Sequence, residues 1–212
     1  MKKRRRKNGA GGRFLLGPFG YIRRLTEKRR RSGMNAKTDQ SQEWRTPRWL
    51  LDEVERIVGR KIDLDPCAPA DGSNPVGALA FFTEKEDGLE QDWGGEGVHR
   101  LVFVNPPYKQ ATAWLAKMII ETRRHDSLIV FFLCPAFTDQ PWYGTAIASA
   151  MDEFSIKGRV RFLRPDGTPA TSPRFPSTLF GFGSYEPPEG SVVAIRRGVI
   201  HPLARVRPGR RS

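Results

Sequence analysis

Four consecutive residues, Asn105-Pro106-Pro107-Tyr108, combine a side-chain amide, two ring-locked backbone positions and an aromatic face. The prolines hold the backbone extended, so that the Pro106 carbonyl points outward beside the Asn105 side-chain oxygen. Two acceptors placed in this way can grip both N–H bonds of an exocyclic amino group. An amino nitrogen whose lone pair is delocalised into a ring is a poor nucleophile, and such a grip favours a more tetrahedral nitrogen with its lone pair aimed. Tyr108 offers an aromatic face on which a planar ring can stack, a contact that contributes ~1–3 kcal/mol when the ring is a base. Attack on an already activated group needs in-line orientation and neither a metal nor a strong general base. A rigid loop after a strand would be spelled the same way, so the placement of the tetrapeptide decides its meaning.

That placement is the end of a strand. Leu101 to Val104 and Leu128 to Leu133 are unbroken apolar runs, as strands buried on both faces should be, and they read as central parallel strands. Between them Ala111, Trp114, Leu115, Met118, Ile119 and Thr122 share one helical face, which supplies the crossover a parallel pair requires. Upstream, Leu50, Leu51, Val54, Ile57 and Val58 have helical spacing behind Thr46-Pro47, with Thr46 as the expected cap and Gly59 as the stop. Ile62 to Asp65 and Leu79 to Phe82 read as short strands, Pro141 to Asp152 as a helix. Further strands are expected near Arg159 to Leu163, Thr178 to Phe182 and Val192 to Ile195. This alternation predicts an α/β fold: a doubly wound, mostly parallel sheet flanked by helices, with its ligands at the C-terminal ends of the strands.

A chain of 212 residues suits one such domain. No apolar run is long enough for a membrane span, and the N-terminus lacks the apolar stretch of a secretory signal, so a cytoplasmic location is expected. Cys67 and Cys134, with three histidines, make neither a disulfide framework nor a metal pattern; no metal is expected and both thiols read as reduced. The net charge of +13 is unevenly spread: residues 1–32 carry 13 Lys and Arg against one acid, residues 191–212 carry six Arg and no acid, and residues 33–190 are net −5. Expected boundaries are a basic tail over 1–38, a folded domain over 39–198 and a second basic tail over 199–212. Runs such as Lys2 to Lys7 repel one another unless an anion neutralises them, so the N-terminal tail reads either as a salt-sensitive phosphate clamp or as a solubilising extension.

The tetrapeptide resembles the catalytic motif of amino-group methyltransferases. More closely, Glu43-Trp44-Arg45-Thr46-Pro47, Asp63-Leu64-Asp65-Pro66-Cys67-Ala68, Asp87-Gly88-Leu89, Gln91-Asp92-Trp93, Asn105-Pro106-Pro107-Tyr108 and Gly158-Arg159-Val160-Arg161-Phe162 together resemble the phage-type DNA N-6-adenine methyltransferase family, over roughly residues 41 to 183. The resemblance implies a Rossmann-like fold that binds S-adenosylmethionine and methylates adenine N6 in DNA, in a phage or prophage setting. Asn105, Pro106, Pro107 and Tyr108 would then be catalytic. Thr46 would contact the cofactor carboxylate, beside Trp44; Asp65 and Pro66 would line its methionine and ribose. Asp92 would accept a hydrogen bond from its adenine while Trp93 packs on the ring. The turn after Asp65 lacks the glycine-rich run of the wider methyltransferases, and the ribose-holding acid falls to Glu84, with Asp87 second. The long polar loop Arg164 to Arg174 is a candidate for reading DNA, through Arg164 or Arg174. Readings that stay open are another acceptor on the same fold (cytosine N4, RNA adenine or a protein glutamine amide) and a DNA-binding protein without catalysis.

Overall fold

The two unbroken apolar runs form the middle of a mixed sheet with helices on both faces. The computed structural model describes residues 44–94, 100–170, 175–186, 194–196 and 199–201; the basic tails apart from 199–201, which form a strand, together with Val192 and Arg174, lie outside the described residues. Helix α1 spans Arg48–Val58 and is followed by β1 (Leu64–Asp65), β2 (Ala80–Phe81) and β3 (Arg100–Val104). Then come a 3-10 turn at Tyr108–Gln110, α2 (Ala111–Arg124), β4 (Leu128–Pro135), α3 (Pro141–Ser149), β5 (Asp152–Lys157), β6 (Ser177–Phe182), β7 (Ala194–Arg196) and β8 (Val199–His201). Among the described residues the sheet order is β2-β1-β3-β4-β6-β5-β7-β8.

Period-two alternation on β3 and β4 divides the core into two layers. Leu101, Phe103, Ile129, Phe131 and Leu133 pack with Leu50, Leu51, Val54 and Ile57 of α1. Val102, Val104, Val130, Phe132 and Cys134 face the other way, onto Trp114, Leu115 and Met118 of α2 and Tyr143 and Ala146 of α3. Both faces of these strands are covered, which is why their sequences are apolar throughout. Full burial of each large aliphatic side chain contributes ~1.5–3 kcal/mol before chain entropy is counted.

The sheet departs from the mostly parallel expectation in its second half. The pairs β1·β2, β1·β3 and β3·β4 are parallel, but β6 lies antiparallel between β4 and β5, and β7·β8 is antiparallel too. Arg159 to Leu163 is not a strand of the sheet; its place there is taken by Asp152–Lys157, and α3 accordingly stops before Asp152. The basic and apolar residues of 159–163 do alternate, but the segment makes its ladder contact only as a bridge from Leu163 to Arg45 and to Pro169. Helix α1 starts one residue later than expected, with Pro47 at the cap position and no side-chain cap. Gly59 ends it in the left-handed region, φ +74, donating its N–H to the Glu55 carbonyl.

Candidate active site

In the parallel half of the sheet the C-terminal ends of β1, β2, β3 and β4 share one edge, and most of the predicted site residues gather there. Asn105 follows β3 directly. Its Nδ2 donates to Thr46 Oγ1 at 3.1 Å and more weakly to the Trp44 carbonyl at 3.4 Å. Thr46 is thus buried against the tetrapeptide instead of capping α1. With the amide hydrogens engaged by protein, the Asn105 Oδ1 is left as an acceptor facing away from them. The Pro107 carbonyl accepts the Gln110 N–H at 2.9 Å, closing the 3-10 turn and leaving the Pro106 carbonyl as the other acceptor on the loop. Tyr108 opens that turn, and burial pushes its phenol well above the usual range, so it is a neutral ring at any working pH.

Asp65 ends β1 with 3% of its surface exposed. Burial lifts its carboxyl to about 6, against the Cys67 N–H that it accepts at 3.0 Å and the Cys67 thiol. The Cys67 thiol is itself raised by burial and by Asp65, and it meets the backbone of Asn105, so the β1 and β3 turns touch. Among the described residues no basic side chain pairs with the Asp65 carboxylate; a positively charged ligand would compensate it. The turn Pro66 to Ala68 is held to the end of β2 by the Ala68 N–H on the Phe82 carbonyl. After β2, Glu84 is exposed on a turn closed by Glu86, which accepts from the Thr83 N–H and hydroxyl. Asp87 adopts φ +52, uncommon for a residue with a side chain, and Gly88 sits so close to Pro66 that a Cβ there would meet its carbonyl oxygen at 1.9 Å. This contact brings Asp87 beside the Asp65-Pro66 turn.

Asp92 and Trp93 do not join the site, contrary to the expectation from sequence. Trp93 has no exposed surface; it stacks on Trp114 at 6.1 Å and donates its ring N–H to the Gly88 carbonyl. Its backbone N–H goes to Glu121 near the end of α2. Asp92 pairs with Arg124 at 3.3 Å and His125 at 2.9 Å. Although burial opposes it, the Gly94 N–H and the neighbouring His125 and Arg124 hold the Asp92 carboxyl below its usual range. Helix α2 runs back from the β3 turn to the start of β4, so its 14 residues put Asp92 at the opposite edge, ~20 Å from Asn105.

Two aromatic residues that sequence reasoning missed stand on the site edge. Phe137 follows β4 and Phe175 precedes the antiparallel β6, so both meet where β4 ends, with ring centroids 4.7 Å apart and edge to face. Phe175 is 43% exposed. No local signal marked the pair, whose members are 38 residues apart in the chain. Arg164 is exposed and donates to Thr168 Oγ1 at 3.2 Å, inside a hairpin whose base pairs with Arg45.

Comparison with known proteins gives the family. A family model described as DNA N-6-adenine-methyltransferase (Dam) matches residues 33–198. The chain is also 28% identical over 130 residues to a protein named DNA N-6-adenine-methyltransferase from Haemophilus phage HP1 (strain HP1c1), covering 61% of this chain and 70% of that one. With the match spanning both the Asp65 and the Asn105 turns, the chain belongs to the DNA N-6-adenine-methyltransferase (Dam) family.

Proposed function

We propose that the chain carries out adenine N6 methylation of DNA at the shared strand edge, on a Rossmann-like sheet whose parallel half holds S-adenosylmethionine. The observation that carries this reading is the Asn105 amide. Its hydrogens are directed at Thr46 and Trp44, so its oxygen is the group presented to a substrate N–H. When bound, the cofactor supplies a methyl group on a cationic sulfonium, and the buried Asp65 carboxylate, which pairs with no basic side chain among the described residues, fits such a charge.

The chain's own residues do the positioning. Asn105 Oδ1 and the Pro106 carbonyl accept the two N–H bonds of the adenine amino group, which turns the nitrogen lone pair toward the incoming methyl. Tyr108 stacks on one face of the flipped base, and the Phe137–Phe175 pair is suitably placed to wall the other. Asp65 and Pro66 line the cofactor together with Thr46 and Trp44. The ribose falls to Glu84 or Asp87, and the contact between Gly88 and Pro66 favours Asp87. Arg164, on its hairpin beside Arg45, is a contact for the DNA flank. Neither chain partner is a strong base, so catalysis here is orientation within a pre-formed site.

The test is incubation of the full chain with labelled S-adenosylmethionine and unmodified duplex DNA, followed by nucleoside mass spectrometry. N6-methyladenine is expected. Methylcytosine would move the acceptor, and a label found only on RNA or on protein glutamine would overturn the DNA reading.

A further inference from the structure

We infer that Lys157, Arg159 and Arg161 form a rail for DNA phosphates along the catalytic edge. The inference rests on the DNA reading above and adds to it the surface that holds the duplex beside the site.

Strand β5 is antiparallel to β6, which is antiparallel to β4, so β5 points the same way as β3 and β4. Lys157, its last residue, therefore lies on the edge that carries Asn105. Gly158 then turns the chain out of the sheet with φ +89. The segment next reaches Leu163, which exchanges two backbone hydrogen bonds with Arg45, at 2.8 and 2.9 Å, one residue from Thr46. From β5 to β3 is three strand spacings, about 14 Å, and the six steps from Lys157 to Leu163 can span about 20 Å when extended. The segment thus runs across the strand ends, along the rim of the site.

Its side chains alternate. Val160 and Phe162 are buried against the α1 layer, and Phe162 meets the Trp44 ring at 6.2 Å. Lys157, Arg159 and Arg161 are exposed on the other side. Residues 157–164 contain four cations and no acid, inside a stretch, 33–190, that is net −5. A solvated face of that body would be mixed or acidic; this one is not. Alternate residues of an extended chain advance about 6.8 Å, the axial rise of two base steps, so Arg159 and Arg161 can follow one phosphate strand, with Lys157 before the Gly158 turn at the end of β5.

The test measures duplex binding by the full chain across a series of salt concentrations, for wild type, for Arg159→Gln with Arg161→Gln, and for Arg159→Lys with Arg161→Lys. The thermal midpoint of each variant reports its folding. The rail requires the Gln pair to lower affinity by roughly tenfold or more and to flatten the log–log salt slope by about 1.8, because each phosphate contact contributes about 0.9. The Lys pair should keep the slope. An unchanged slope in the folded Gln pair overturns the rail, whether or not the wild type makes N6-methyladenine. A flattened slope with no methylated nucleoside from wild type supports the rail and overturns the methylation reading instead.

Discussion

The two edges of the sheet are built on opposite principles. At the N-terminal edge the buried charges, Lys117 and Glu121, answer each other. Glu121 accepts from Lys117 Nζ at 2.7 Å and from the Trp93 N–H at 2.9 Å, Lys117 sits 5.6 Å from the Trp93 ring centre, and Arg100 donates to the Trp93 and Gly94 carbonyls. At the C-terminal edge a buried carboxylate has no cation partner among the described residues, an amide oxygen faces outward and aromatic rings stand half exposed. A closed network stabilises a fold, whereas polar groups held rigidly and left without partners are what a ligand can bind. Mutations should separate the two edges.

The largest expected effect is catalytic. Asn105→Ala should lower methylation at least about 100-fold while the thermal midpoint stays near wild type, because the side chain is spent on orientation. A folded variant with normal turnover would remove the distinction between the edges. Glu121→Ala should do the reverse. It leaves Lys117 buried without its partner and the Trp93 N–H unmet, at a cost of about 3 kcal/mol or more in chemical denaturation, while the folded fraction keeps its activity below the transition.

A pH series sharpens the comparison. Since burial raises Asp65 to about 6 from the ordinary 3.8, its ionisation opposes folding. The free protein is therefore most stable, as far as this group is concerned, below about pH 4, and loses up to about 3 kcal/mol as pH rises through 6. A cationic cofactor offsets the penalty, so its affinity should climb roughly tenfold over the same window, read by calorimetry. Asp65→Asn should flatten that rise; a rise that persists assigns it to another group. The smallest effect belongs to Asp92→Ala, whose exposed ion pairs are worth at most about 1 kcal/mol. Cofactor affinity should stay within twofold of wild type, and a large loss would return Asp92 to the site.

What the sequence made legible followed from burial and chain direction. The β3 and β4 runs, the α1 and α2 faces and the turns at Asp65 and Asn105 are written in local patterns that tertiary packing had no reason to override. Asp92 and Trp93 were misplaced because motif order says nothing about which edge a loop visits. A physical signal was available: both lie only seven or eight residues before β3, and a strand that ends at the site must begin at the far side. Arg159 to Leu163 has the alternation of a strand, but alternation reports one buried face and does not require membership in the sheet. The Phe137–Phe175 pair was invisible because its members are 38 residues apart and meet through the antiparallel placement of β6, which no local pattern encodes.

The Asn105 contacts also bear on how this motif can be redesigned. The identity of residue 105 is constrained by a backbone carbonyl 61 positions earlier, at Trp44, which accepts and can never donate. An aspartate in its place would set a carboxylate against that carbonyl, and the Thr46 hydroxyl would have to rotate to donate. Exchanging an amide for an acid at the head of the Asn105–Tyr108 tetrapeptide is therefore a two-site substitution, and the compensating change has to be sought in the segment that leads into α1.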